Sequence, residues 1–228
     1  MAVDPQFEAR LSQFIDRQFP GSSVGAVDQL TSGASQQTFR VRTRSRDGVQ
    51  RDYALRRAQP GLVASSQGQL STSAEVALLR LAQSASVPVP NVICELEPKH
   101  DLGEGYLMEW LEGETLGHRI VKLPELAEMR ATLAYECGQT LAKIHALPVP
   151  HSLRRVLPCV SPEVLVRETW DAYIALNTPQ PMIDFTAQWL LSHLPTTVTQ
   201  CLVHGDFRNG HLMVSKTGIR AVLDWELC

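Results

Sequence analysis

Apolar residues recur at helical spacing near the start of the chain, at Phe7, Leu11, Phe14, Ile15 and Phe19. That spacing puts them on one face of a helix. Asp4 can cap its first turn, and Pro5 suits a position where the missing N–H has no intrahelical partner. Pro20 and Gly21 stop the run. The rhythm then becomes strand-like in "VGAVDQLTSG", "QTFRVRTR" and "DYALRR", and the break "SRDG" between the last two predicts a hairpin turn. "SAEVALLRLAQSA" predicts a short helix. "VPVPNVICE" predicts an extended approach to a strand, because its prolines lack the N–H and restrict the residues before them. "GYLMEWLEG" predicts a strand running into a turn.

From Pro124 the helical period takes over. Leu126, Met129, Leu133, Cys137, Leu141 and Ile144 predict one long amphipathic helix in "LPELAEMRATLAYECGQTLAKIHAL". "SPEVLVRETWDAYIAL" and "DFTAQWLLSHL" predict further helices. "CLVHGD", "HLMV" and "IRAVLDW" predict short strands, the last two forming a hairpin that turns at Lys216 to Gly218. The chain therefore reads as α+β. Residues 1–110 form a strand-rich part with a leading helix, and residues 111–228 form a mainly helical part carrying the late hairpin.

Composition narrows the classes of function. The 228 residues suffice for one large domain or two small lobes. A net charge of −3 gives no reason to expect nucleic-acid binding, which usually shows as a basic face. No apolar run approaches the roughly 18 residues a membrane span needs, and the N-terminus lacks the pattern of a signal peptide. Cys94, Cys137, Cys159, Cys201 and Cys228 are scattered, odd in number and without a C-x-x-C, so neither a disulfide framework nor a zinc knuckle is expected. A cytoplasmic setting is expected.

The candidate chemistry lies in "HGDFRNGH", residues 204–211, and "LDWE", residues 223–226. The late hairpin can fold Asp224 back beside the first motif, gathering Asp206, Arg208, His211 and Asp224. Two carboxylates and a cation suit phosphoryl transfer, which needs a base to orient a hydroxyl, a cation for the transferring group and a metal site on the phosphates. In the protein-kinase pattern the base Asp is followed two residues later by a basic residue and five residues later by a metal-binding Asn, and a second metal Asp follows the next hairpin. Asp206, Arg208, His211 and Asp224 fill those positions in order.

In these motifs the chain resembles the aminoglycoside phosphotransferase and choline-kinase-like family. The wording is most similar to a subgroup whose relatives also occur fused to acyl-CoA dehydrogenases. "LTSGASQQTFRV" looks like its first two strands and phosphate flap, "YALRR" its third strand, "SAEVALLRLA" the following helix, and "GYLMEWLEGETL" its hinge. The resemblance implies a protein-kinase-like two-lobed fold and transfer of the ATP γ-phosphate to a hydroxyl of a small molecule. It implies that Ser35 covers the phosphates and that Arg56 pairs with them while held by Glu75. Glu109 and Leu111 are to meet adenine through backbone groups. Asp206 is the base, Arg208 balances charge, and His211 with Asp224 faces Mg²⁺ or Mn²⁺. Arg56 stands where the family has lysine, and His211 where it has asparagine. The family also continues past the position of Cys228 with several helices, which implies apolar surface open to self-association.

Plainer readings stand beside these. Asp206 can cap its own loop, His204 can be structural, Ser35 can be a turn serine, and Arg56 with Glu75 can be a solvated surface pair. Two other functions fit the same motifs. One is a nucleotide-binding module without turnover. The other is a metal-dependent hydrolase using His204, Asp206, His211, Asp224 and Glu226.

Overall fold

The computed structural model describes residues 3–30, 36–59 and 70–228. Helix α1 (Pro5–Gln18) begins where expected, with the Asp4 carboxylate accepting the Gln6 N–H at 3.0 Å. Its buried Phe7, Leu11, Phe14 and Ile15 pack on Phe39, Val41, Tyr53, Leu55 and Leu107. Burying each such side chain is worth about 1.5–3 kcal/mol, which is what holds a short helix on a sheet.

The sheet consists of β1 (Ser23–Gln29), β2 (Gln36–Arg44), β3 (Gln50–Ala58), β4 (Val92–Glu95) and β5 (Gly105–Glu109). Its order is β1-β2-β3-β5-β4, antiparallel throughout. Register sets its two faces. Thr38 pairs Arg56, Arg40 pairs Ala54, and Arg56 and Ala54 in turn pair Tyr106 and Met108. Alternate residues share a face. The odd-numbered Phe39, Val41, Tyr53, Leu55 and Leu107 therefore cover α1, and the even-numbered positions line the opposite face. Helix α2 (Thr72–Ser84), capped by the Ser71 hydroxyl, packs on β4 and β5 and buries Glu75.

After the sheet come α3 (Gly117–Lys122), α4 (Ala127–His145), α5 (His151–Arg154), α6 (Pro162–Ala175) and α7 (Pro181–Ser192), then the hairpin of β6 (Leu212–Ser215) and β7 (Gly218–Val222). The chain forms two compact units, Met1–Val156 with Leu202–Cys228, and Leu157–Cys201. In the second unit, α6 and α7 are joined by Asp184, which accepts from Trp170 Nε1 at 2.9 Å and Tyr173 OH at 3.2 Å. All five cysteines are unpaired in disulfides. No helix among the described residues is long and apolar enough to cross a membrane.

Two sequence expectations are corrected. The helix expected from Pro124 opens as a 3-10 turn, Pro124–Leu126, and the α-helix begins at Ala127. "CLVHGD" forms no strand. Gly205 adopts φ +78°, which breaks an extended run, and a Cβ there would stand 2.2 Å from the Leu227 carbonyl oxygen.

Candidate active site

Short backbone links tie the late hairpin to the segments before β4 and after β5. Glu114 and Val214 exchange N–H···O bonds of 2.8 and 2.9 Å, and the Val222 N–H donates to Pro88 O at 2.8 Å. Leu223 N–H donates to His211 O at 2.8 Å, closing the base of the hairpin. Asp224 then takes φ +65°, an uncommon conformation that aspartate tolerates better than most residues. The turn directs its carboxylate back to the "HGDFRNGH" loop.

The cluster that results is dense. Arg208 Nε donates to both Asp206 carboxylate oxygens, at 2.9 and 3.1 Å. His211 Nδ1 lies 3.1 Å from Asp206 O, and its Nε2 lies 3.2 Å from Arg208 Nη2 and 3.2 Å from Asp224 Oδ2. The other Asp224 oxygen accepts from Arg56. Arg56 also lies 3.4 Å from Glu226 Oε2 and 3.6 Å from Glu75 Oε1, and its Nε donates to Gln36 Oε1 at 2.5 Å. One guanidinium thus meets three carboxylates. Tyr106 OH donates to Glu75 at 3.1 Å, and the Gln36 amide donates to Glu75 at 3.4 Å and Glu226 at 3.2 Å.

Electrostatics follow from this packing. Burial opposes the Arg56 charge, but Glu75 and Asp224 outweigh it and hold the guanidinium above its ordinary pKa. Burial pushes the Glu75 carboxyl up, with Arg56 pulling against it. Burial and then the neighbouring Glu75 raise Tyr106 well above the usual phenol range, which keeps it a neutral donor.

His204 holds the loop from below. It is 1% exposed, with its ring edge-on to Trp225 at 5.3 Å. Its Nε2 lies 3.0 Å from the Leu223 carbonyl, and its Nδ1 accepts the Asp206 N–H at 3.3 Å. The carbonyl can only accept and the amide can only donate, so the ring is the neutral Nε2–H tautomer. Burial draws its pKa below the ordinary histidine value, against the pull of the Leu223 bond. Below that ordinary value the unfolded chain takes up a proton that the folded chain refuses. Stability from this group is therefore full at neutral pH and falls as pH drops from about 6.5, by at most about 1.4 kcal/mol per unit. His204→Gln should flatten the stability profile between about pH 7 and 5. Urea unfolding at several pH values measures both slopes, and equal slopes would show that His204 is not the group responsible.

The structure thus joins Asp206, Arg208, His211, Asp224, Arg56 and Glu75 in one network. The Arg56–Glu75 pair is not a solvated surface pair, since its side chains are only 13% and 1% exposed. Glu109 ends β5 and Leu111 follows two residues on, and none of the network bonds given above involves either residue. Ser35 lies outside the described residues. The sequence reading of Glu109 as a backbone contact alone misses its side chain, which accepts the Asn91 N–H at 2.8 Å while its own N–H donates to Asn91 O at 2.9 Å. Gln36 and Tyr106 carry no expectation in the sequence reading, which gives Glu226 only as a hydrolase ligand. Alternation along β2 and β5 was the signal that could have placed Gln36 and Tyr106 on the face of Arg56.

The donor set also bears on a metal. Among the described residues, no three His, Cys, Asp or Glu side chains converge as a metal cage. Mg²⁺ seldom needs one, because it takes one or two carboxylates and completes its shell with water and substrate phosphates. Asp224, with Glu226 across Arg56 and His211 beside it, fits a nucleotide-borne divalent ion better than a protein-built zinc site.

Comparison with known proteins agrees with this geometry. A crystal structure of a "putative aminoglycoside phosphotransferase" from Ralstonia eutropha JMP134 superposes with a TM-score of 0.70 at 22% identity, over 96% of this chain and 64% of that one. The likeness supports the α+β, protein-kinase-like fold. The chain is 31% identical over 217 residues to acyl-CoA dehydrogenase family member 10 of Mus musculus, covering 90% of this chain and 19% of that protein. It is 29% identical over 219 residues to the probable acyl-CoA dehydrogenase IBR3 of Arabidopsis thaliana, covering 88% of this chain and 26% of that protein. The chain therefore spans only a minor part of these relatives. Residues 26–228 match the APH family, and with that match the chain belongs to the phosphotransferase enzyme family.

Proposed function

We propose that the chain transfers the γ-phosphate of ATP to a hydroxyl group of a small molecule. The observation that carries this reading is the convergence of Asp206, Arg208, His211, Asp224 and Arg56 in one network. Adenine lies along the backbone of Glu109 and Leu111. Arg56 offers its charge to the phosphates, with Glu75 holding its stem end. Asp206 accepts the proton of the acceptor hydroxyl as that oxygen bonds the γ-phosphorus and the bond to the β-phosphate oxygen breaks. ADP leaves with that bridging oxygen. Arg208, now bound to Asp206, turns to the charge on the transferring group. Asp224 and His211 would hold a divalent ion, Mg²⁺ or Mn²⁺, which neutralises charge on the β- and γ-phosphates when bound.

Thermal melts with and without Mg-ATP test the reading. Nucleotide at 100 times its dissociation constant should add about 2.7 kcal/mol to stability. No shift at millimolar nucleotide, in a folded sample, would overturn it.

His211 gives a second test. Imidazole suits later transition metals, whereas Mg²⁺ favours oxygen. His211→Asn should strengthen nucleotide binding in Mg²⁺ and reduce any preference for Mn²⁺. Titrations of both proteins with each metal measure this, and unchanged metal preference would remove His211 from the metal site.

A nucleotide-binding module without turnover is the second reading. It is favoured by one observation, that both Asp224 oxygens are already engaged, by Arg56 and by His211. Nucleotide stabilisation with no ADP formed in a single-turnover assay would select it.

A further inference from the structure

The face of the sheet that carries Arg56 also carries a second arginine, Arg40, at the end nearer the segment after β5. Arg40 pairs with Ala54 in the register, two residues from Asp52 on the same face of β3. Its Nε donates to Asp52 Oδ2 at 2.6 Å, and its Nη2 lies 3.2 Å from Glu112 Oε1. The guanidinium carbon stands 4.4 Å from the centroid of the Trp110 ring. Trp110 Nε1 donates to the same Glu112 oxygen at 2.7 Å. One cation therefore ties β2 to β3 and to two residues beyond β5.

Those two residues flank Leu111. Isolated surface ion pairs contribute little. This arrangement differs, because a single guanidinium serves two carboxylates and an aromatic face at once, and its side chain is only 30% exposed. Trp110 and Glu112 held on one cation leave the peptide units on either side of Leu111 little freedom to rotate. On the other side, Glu109 is fixed to Asn91 by both its N–H and its carboxylate. The segment is thus anchored before and after Leu111.

We infer that Arg40, with Trp110, Glu112 and Asp52, positions the backbone around Leu111 to receive a purine base, and so sets the preference for a nucleotide over a bare polyphosphate. Arg40 is a positioning residue, because it acts through the segment that meets the base. The inference rests on the proposed placement of adenine at Glu109 and Leu111.

The test compares two ligands on the full chain. Calorimetric titrations with ATP and with inorganic tripolyphosphate, at the same Mg²⁺ concentration, separate the base from the phosphates. The wild-type chain should bind ATP more tightly than tripolyphosphate. Arg40→Ala should weaken ATP binding about tenfold and leave tripolyphosphate binding within about twofold. Trp110→Phe keeps an aromatic face and should retain most of the ATP affinity. Glu112→Gln changes an exposed side chain, so it folds even where Arg40→Ala does not, and it should weaken ATP by about threefold with tripolyphosphate unchanged. Equal weakening of both ligands, or no weakening of either, would overturn the positioning role. Absence of any ATP preference in the wild-type chain would overturn the placement of the base itself, and this inference with it.

Discussion

Asp206→Asn is expected to lower turnover by about two to four orders of magnitude, the range attributed to a positioned general base. The substitution keeps size and shape but leaves an amide that cannot take up the hydroxyl proton. Arg208 Nε, which now meets both carboxylate oxygens, can still donate to the amide oxygen. The Asp206 backbone bonds to His204 and His211 do not involve the altered group. The fold should therefore survive, and under the proposed role, in which Asp206 serves the acceptor hydroxyl and not adenine, ATP affinity should stay within about twofold. ADP release measures turnover, and calorimetry measures affinity. A variant that keeps more than a tenth of the turnover would exclude Asp206 as the base.

Arg56→Met should produce the largest loss of stability. The guanidinium is the cation shared by Glu75, Asp224 and Glu226, and its side chain is 13% exposed. Removing one partner of a buried ion pair costs about 3–5 kcal/mol, because the remaining charge is left without compensation in a poorly solvated place. The sign of the pH dependence is fixed as well. Glu75 already has a carboxyl raised by burial, and Arg56 pulls it down. Without Arg56 it rises further, so the folded variant binds a proton that the unfolded chain, at its ordinary carboxylate pKa, has released. The deficit of the variant should shrink as pH falls towards that ordinary value. Adding Glu75→Gln to Arg56→Met should restore part of the loss, a coupling that separate single-site losses would not give. Urea unfolding of the four proteins measures it. Additive losses would show that the pair does not interact energetically.

Some of this site was legible in the sequence because its signals are local. Asp4 and Pro5 announce the start of α1, and the alternation of Phe39, Val41, Tyr53 and Leu55 announces a sheet with one face against it. Asp206, Arg208, His211 and Asp224 could be brought together because only a hairpin separates them. What was not legible depends on pairing between distant strands. Gln36 reaches Arg56 because β2 and β3 adopt one register among several that the sequence allows. Tyr106 reaches Glu75 because β5 lies beside β3 while α2 packs on it. "CLVHGD" has the composition of a strand, yet Gly205 needs a left-handed backbone that only the fold around Leu227 explains. The Glu109 carboxylate capping Asn91 has no local signature at all.

The bond from Arg56 to Asp224 joins residues 168 apart in sequence, and the bond from Gln36 to Glu226 joins residues 190 apart. Chain entropy opposes closing such long loops before there is packing to reward it. Helix α1 and the β2–β3 hairpin need no such closure. They should form early, with Arg56 and Glu75 waiting for the carboxylates that complete their network. At a synthesis rate of about 5–20 residues per second, Asp224 follows Arg56 out of the ribosome by roughly 8 to 34 seconds. In refolding, helix and sheet signals should recover first, and the proposed nucleotide binding should return with the slowest phase.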